Sequence, residues 1–125
     1  MAKLFFLVSG EHPTLPFSEL TAILEAEGIK NKILERLVQV LRIEADAKAI
    51  GVVQRKAALT RVCSQEIFNC SPALSDIVKK LNSTALDDFI ESGETFVVRV
   101  RKVKDFAPNL ISMELERKLG ELILN

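Results

Sequence analysis

The chain has 125 residues, 48% of them hydrophobic, with 17 Lys+Arg balanced by 17 Asp+Glu. That length holds one full-sized domain or two small ones, with enough apolar residues for a real core. The charge balance argues against a uniformly basic surface that coats nucleic acid. Two cysteines and one histidine are too few for a disulfide framework or a zinc site. The apolar run at the N-terminus, Leu4–Val8, is five residues long and stops at Ser9-Gly10. It is too short for a signal peptide or a membrane span, so a cytoplasmic chain with reduced thiols is expected.

Residues 3–9 read as a buried strand, and Ser9 to Thr14 as a loop that holds the one histidine, His12. Phe17, Leu20, Ile23 and Leu24 then recur at helical spacing. Pro16 suits the first turn and Gly28 closes the helix. Residues 33–44 fit either a helix or alternation. Their β-branched content and poor caps favour two short strands, about 32–36 and 39–44. Asp46 is placed to cap a second helix, with Ile50, Val53, Ala57 and Ala58 as its apolar stripe and Arg55, Lys56 and Arg61 on its outside. Glu66–Cys70 reads as a further short strand. The order is β-α-β-β-α-β, the ferredoxin-like pattern, over residues 1–70. Phe5, Phe6 and Phe68 are expected in its core.

A second unit, 71–125, is expected to start with Ser71 as N-cap and Pro72 as first helical residue. Leu74, Ile77, Val78 and Leu81 repeat at i, i+3, i+4, i+7, and a short turn covers Leu86–Ile90. Glu94–Lys104 is the clearest strand pattern in the chain. Phe96, Val98 and Val100 fall on one face; Val97, Arg99, Arg101 and Val103 fall on the other. After a loop, Ser112 is placed to cap a last helix with Leu115, Leu119, Leu122 and Ile123 on its apolar side. One strand cannot form a sheet, so this α/β unit looks partial, or borrows partners from the first unit or another chain.

The charges are unevenly distributed. Residues 51–104 carry 9 basic and 6 acidic side chains, whereas the flanking segments are acidic on balance. Arg99, Arg101, Lys102 and Lys104 form the densest basic cluster. Arg gives planar bidentate contact to phosphate and Lys adds less directional charge, which together supply the salt-dependent part of nucleic-acid affinity. The same pattern fits arginines paired across a sheet with Glu91 or Glu94. Arg55, Lys56, Arg61, Arg117 and Lys118 are weaker candidates of the same kind. Motifs of phosphate-binding loops, zinc hydrolases and serine nucleophiles are all missing.

Several segments, taken in order, carry a resemblance. They are Leu7–Leu20, Ala58-Leu59-Thr60-Arg61, Glu66–Cys70, Gly93–Val100 and Leu115–Gly120. Together they resemble the N-terminal region of archaeal tRNA guanosine-10 N2-methyltransferases. The resemblance implies a ferredoxin-like domain, 1–70, followed by a partial THUMP RNA-binding domain, 71–125, so an α+β chain. It implies tRNA as partner and S-adenosylmethionine as cofactor of a catalytic domain in the same or another chain. Such a domain would need on the order of 150–200 more residues. The chain lacks that domain's Asp-Pro-Pro-Tyr type motif. The expectation is therefore an RNA-gripping region with no catalytic residues of its own, or a stand-alone adaptor that dimerises or pairs with a partner.

Overall fold

The computed structural model describes residues 1–91, 93–101, 103 and 112–124. The chain divides into two compact units, Met1–Ile67 and Phe68–Asn125.

The first unit is built on β1 (Ala2–Val8), α1 (Leu15–Ala26), β2 (Asn31–Arg36), β3 (Val40–Ala45), α2 (Lys48–Lys56) and β4 (Thr60–Gln65). The four strands form one sheet in the order β2-β3-β1-β4, and every neighbouring pair is antiparallel. The element order and the fully antiparallel sheet are those of a ferredoxin-like α+β unit. Strand alternation puts Leu4, Phe6 and Val8 of β1 and Leu41, Ile43 and Ala45 of β3 on one face. That face is buried with Phe17, Leu20 and Leu24 of α1 and Ala49, Val52 and Val53 of α2. Phe6 is in the core as expected. Phe5 is one residue out of phase, so it is half-buried and lies outside the core cluster. Phe68 is also half-buried and outside it, in the second unit.

Local chemistry explains the boundaries. His12 fixes the start of α1: its Nδ1 accepts the backbone N–H groups of Thr14 and Leu15, at 3.2 and 2.9 Å. An imidazole thus does the work usually given to Ser or Asp at a helix N-terminus. Arg36, at the end of β2, lies 4.2 Å over the Phe17 ring and donates to the Pro13 carbonyl. Gly28 ends α1 with φ +67°, the left-handed conformation that glycine enters without steric cost. The β2–β3 turn lacks Gly or Asn and is held instead by Gln39. The Gln39 carbonyl accepts the Val8 N–H, and its side-chain amide donates to the Val8 carbonyl. Asp46 starts α2, its Oδ1 accepting the Lys48 N–H at 3.0 Å.

The end of α2 and the position of β4 correct the sequence reading. Helix α2 stops at Lys56, and the strand is Thr60–Gln65 rather than Glu66–Cys70. The cause is Glu19 on α1. Its carboxylate accepts the N–H groups of Ala58 and Leu59 at 2.9–3.2 Å, which removes them from any continuing helix. Ala57 has already turned to extended geometry, with φ −80° and ψ 135°. Arg61 therefore sits on β4 and not on the helix.

The second unit holds α3 (Leu74–Asn82), a 3-10 turn at Leu86–Asp88, and α4 (Ser112–Leu124). Helix α3 begins three residues later than Ser71. Ser71 is not its N-cap, and its hydroxyl is hydrogen-bonded to Asp76 instead. The 94–101 segment has no strand partner among the described residues, contrary to the expectation of a sheet strand. Its two-residue alternation is nevertheless present. Phe96, Val98 and Val100 are half-buried, while Val97, Arg99 and Arg101 are exposed. The expected Ser112 cap rests on a side chain outside the described residues.

Candidate functional site

The basic segment packs against a helix. The Val100 N–H donates to Glu116 Oε1 on α4 at 2.8 Å. Gly120, one helical turn further along α4, faces Val98: a Cβ there would meet Val98 Cγ2 at 4.0 Å. Between the segment and the helix runs an open groove of about 640 Å³. Thr95, Phe96, Val97 and Val98 line one side; Met113, Gly120 and Leu124 line the other. Arg99 and Arg117 are both in its lining, with Glu94 and Glu116 as the acidic members. Val97, Met113 and Leu124 are strongly exposed, at 66%, 80% and 76%.

The expected alternative for Arg99 and Arg101, pairing with Glu91 or Glu94, is not seen among the described residues. The Glu94 carboxylate instead accepts the Glu91 backbone N–H at 2.8 Å. Both arginines are exposed. Arg117 lies 3.7 Å from Glu121 one turn away, an exposed pair of little energetic weight. Lys118 is exposed on the same helix. Lys102 and Lys104 lie outside the described residues.

The remaining candidates belong to the first unit. Arg55 and Lys56 end α2, where positive charge complements the helix dipole. Lys56 is paired with Glu27, whose carboxyl is held below its ordinary range, chiefly by the hydrogen bond and charge of that lysine. Arg61 is exposed on β4. Of the candidates among the described residues, the groove gathers Arg99 and Arg117.

One basic residue that the sequence did not single out is bound on several sides. Arg42 on β3 donates from Nε and Nη2 to the two oxygens of Glu66, at 2.6 and 3.0 Å. Its Nη1 donates to Glu35 at 2.8 Å. The Glu66 hydrogen bonds hold the guanidinium pKa above its ordinary value, against the cost of desolvation. This fork-to-fork pairing leaves Arg42 little capacity for an outside anion. The sheet register creates it. Arg42 is opposite Phe5 on β1, and Glu66 follows β4 with its N–H on the Lys3 carbonyl. No spacing in the sequence signals that neighbourhood.

Among the described residues no cluster of three or more metal-ligating side chains occurs, and no helix is long and apolar enough to cross a membrane.

The fold defines an α+β chain with a ferredoxin-like first unit. Over nearly all its length this chain is similar to two archaeal enzymes, each named tRNA (guanine(10)-N2)-dimethyltransferase. It is 27% identical over 122 residues to the Methanothermobacter thermautotrophicus protein, covering 97% of this chain and 34% of the relative. It is 25% identical over 134 aligned positions to the Methanocaldococcus jannaschii protein, covering 94% and 37%. The chain thus spans about a third of the length of the curated relatives it matches. No family model matches it.

Proposed function

We propose that this chain grips tRNA for a methyltransferase that modifies the exocyclic N2 of a guanine. In this reading residues 1–70 are the ferredoxin-like domain and 71–125 a partial THUMP-type RNA-binding domain. The catalytic domain, in the same or another chain, binds S-adenosylmethionine. The observation that carries the proposal is the similarity along nearly the whole chain to two proteins of that name. The exposed Arg99 and Arg101 supply the chemistry, and Lys102 and Lys104 extend it. Arg117 and Lys118 on α4, and Arg55, Lys56 and Arg61 in the first unit, add longer-range attraction. Lys56 contributes least because Glu27 already neutralises it. With tRNA as its partner, the chain works in the cytoplasm.

The Gln39 side chain lies 2.8 Å from where a Cβ of Gly10 would stand, a packing contact at the end of β1, and in this reading S-adenosylmethionine belongs to the catalytic domain.

Arg101→Glu tests the reading. It replaces a phosphate-binding charge with a repelling one, so it should lower the affinity for a tRNA transcript and flatten its salt dependence. Unchanged binding at low salt would remove Arg101 from the interface. A second reading, an adaptor that dimerises or pairs with a partner chain, draws on the exposed Val97, Met113 and Leu124. Sedimentation showing a concentration-dependent dimer without tRNA affinity would favour it.

A further inference from the structure

The 94–101 segment is an extended chain laid along a helix, and the two repeats match. Two residues of extended chain advance about 6.6 Å. Four residues of helix advance about 6 Å. Val98 faces Gly120, and Val100 is bonded to Glu116, four residues earlier. The segment and α4 therefore run in opposite directions and stay in step. Continuing one step the other way pairs Phe96 with Leu124, and both line the groove.

Apolar packing favours this register, since Phe96, Val98 and Val100 are half-buried and Val97, Arg99 and Arg101 are exposed. A one-residue slip exchanges the two faces of the run. A slip would turn Arg99 and Arg101 towards the helix and Val98 and Val100 outward. The Val100–Glu116 hydrogen bond is the directional contact that distinguishes the two registers.

We infer that Glu116 is a positioning residue: by holding the Val100 N–H it adds a directional lock to the register that presents Arg99 and Arg101 together on the outer face. The inference rests on the proposed tRNA reading, because the arginines matter only if something anionic meets them. It predicts an effect opposite in sign to simple charge. A carboxylate beside a phosphate-binding surface should weaken RNA binding, so its removal should help. A register clamp should hurt when it is removed.

Two variants separate these effects. Glu116→Gln removes the charge and keeps an acceptor oxygen; Glu116→Leu removes both. The three residues have similar helix propensity, so α4 is retained, and far-UV circular dichroism verifies it. With a tRNA transcript at 0.1 M salt, Glu116→Gln should bind as well as the wild type or slightly better. Glu116→Leu should bind about 5- to 8-fold more weakly for each phosphate that the arginines no longer reach. Its log K against log salt slope should flatten by about 0.7–0.9 for each such phosphate. Equal behaviour of the two variants would overturn the inference. Amide hydrogen exchange provides a test without RNA. Val100 should be protected in the wild type and in Glu116→Gln and open in Glu116→Leu; an unprotected Val100 in the wild type would overturn the clamp outright. A wild type that binds no tRNA would overturn the proposed function and the positioning role with it. Protection at Val100 would then report a clamp of structural value only.

Discussion

Removing Arg42 should destabilise the first unit more than removing any other single basic residue described there. Its side chain is 15% exposed, and the Glu66 side chain that it grips is 8% exposed. Truncation leaves the Glu66 carboxylate shielded from water and without its two donors. A fully buried pair broken in this way costs several kcal/mol, and an unpaired hydrogen-bonding group alone about 1–3. The triad is close to the surface and the Glu35 side chain is 43% exposed, so its second ion pair is screened and adds little. Arg42→Leu should therefore cost about 2–3 kcal/mol. Combining Arg42→Leu with Glu66→Leu should recover most of that stability, because two apolar groups leave no orphaned charge. The chain has no Trp or Tyr, so urea unfolding is followed by far-UV circular dichroism. With a slope of about 1–2 kcal/mol per M, the midpoint should fall by about 1–3 M in the single variant. A shift below about 0.3 M, or no recovery in the double variant, would mean that the triad is a solvated surface pair and the reasoning wrong.

Glu19→Ala frees the N–H groups of Ala58 and Leu59, and should cost about 1–2 kcal/mol with increased exchange at both amides. His12→Ala removes the acceptor at the start of α1 and should cost about 1 kcal/mol in the same urea assay. Burial pushes the Cys63 thiol above its ordinary pKa. Just above that ordinary value, the unfolded chain loses the proton while the folded chain keeps it. The contribution of Cys63 to stability is thus full at neutral pH and declines as pH rises past the ordinary thiol value. At about pH 8, close to the ordinary thiol range, Cys63 should react with iodoacetamide more slowly in folded than in urea-unfolded protein, when followed in a Cys70→Ser variant.

The elements specified by their own sequence were legible in it. Strand β1 and helix α1 with Pro16 and Gly28 fall where the apolar periods place them, and strands β2 and β3 where β-branched content and poor caps place them. The misplaced elements depend on distant residues. The end of α2 is set by Glu19, far back on α1, and so is the start of β4. Alternation in 94–101 correctly separates the half-buried from the exposed side chains, but a period of two reports faces and not partners. The partner here is a helix. Arg42 was illegible as a locked residue because only the register across β1 brings Glu66 to it. Arg99 and Arg101 stood out because they cluster in sequence. The placing of Arg117 in the same groove needed the fold.

The proposed function stands on whether this chain holds tRNA by itself. Equilibrium binding of a tRNA transcript to the unmodified 125-residue chain, from about 50 to 200 mM salt, decides it. Measurable binding is expected at the low-salt end, weakening with a log–log slope of at least about −1.4, the value for two phosphate contacts at about −0.7 each. No binding at the low-salt end, or binding indifferent to salt, would contradict the tRNA-gripping role.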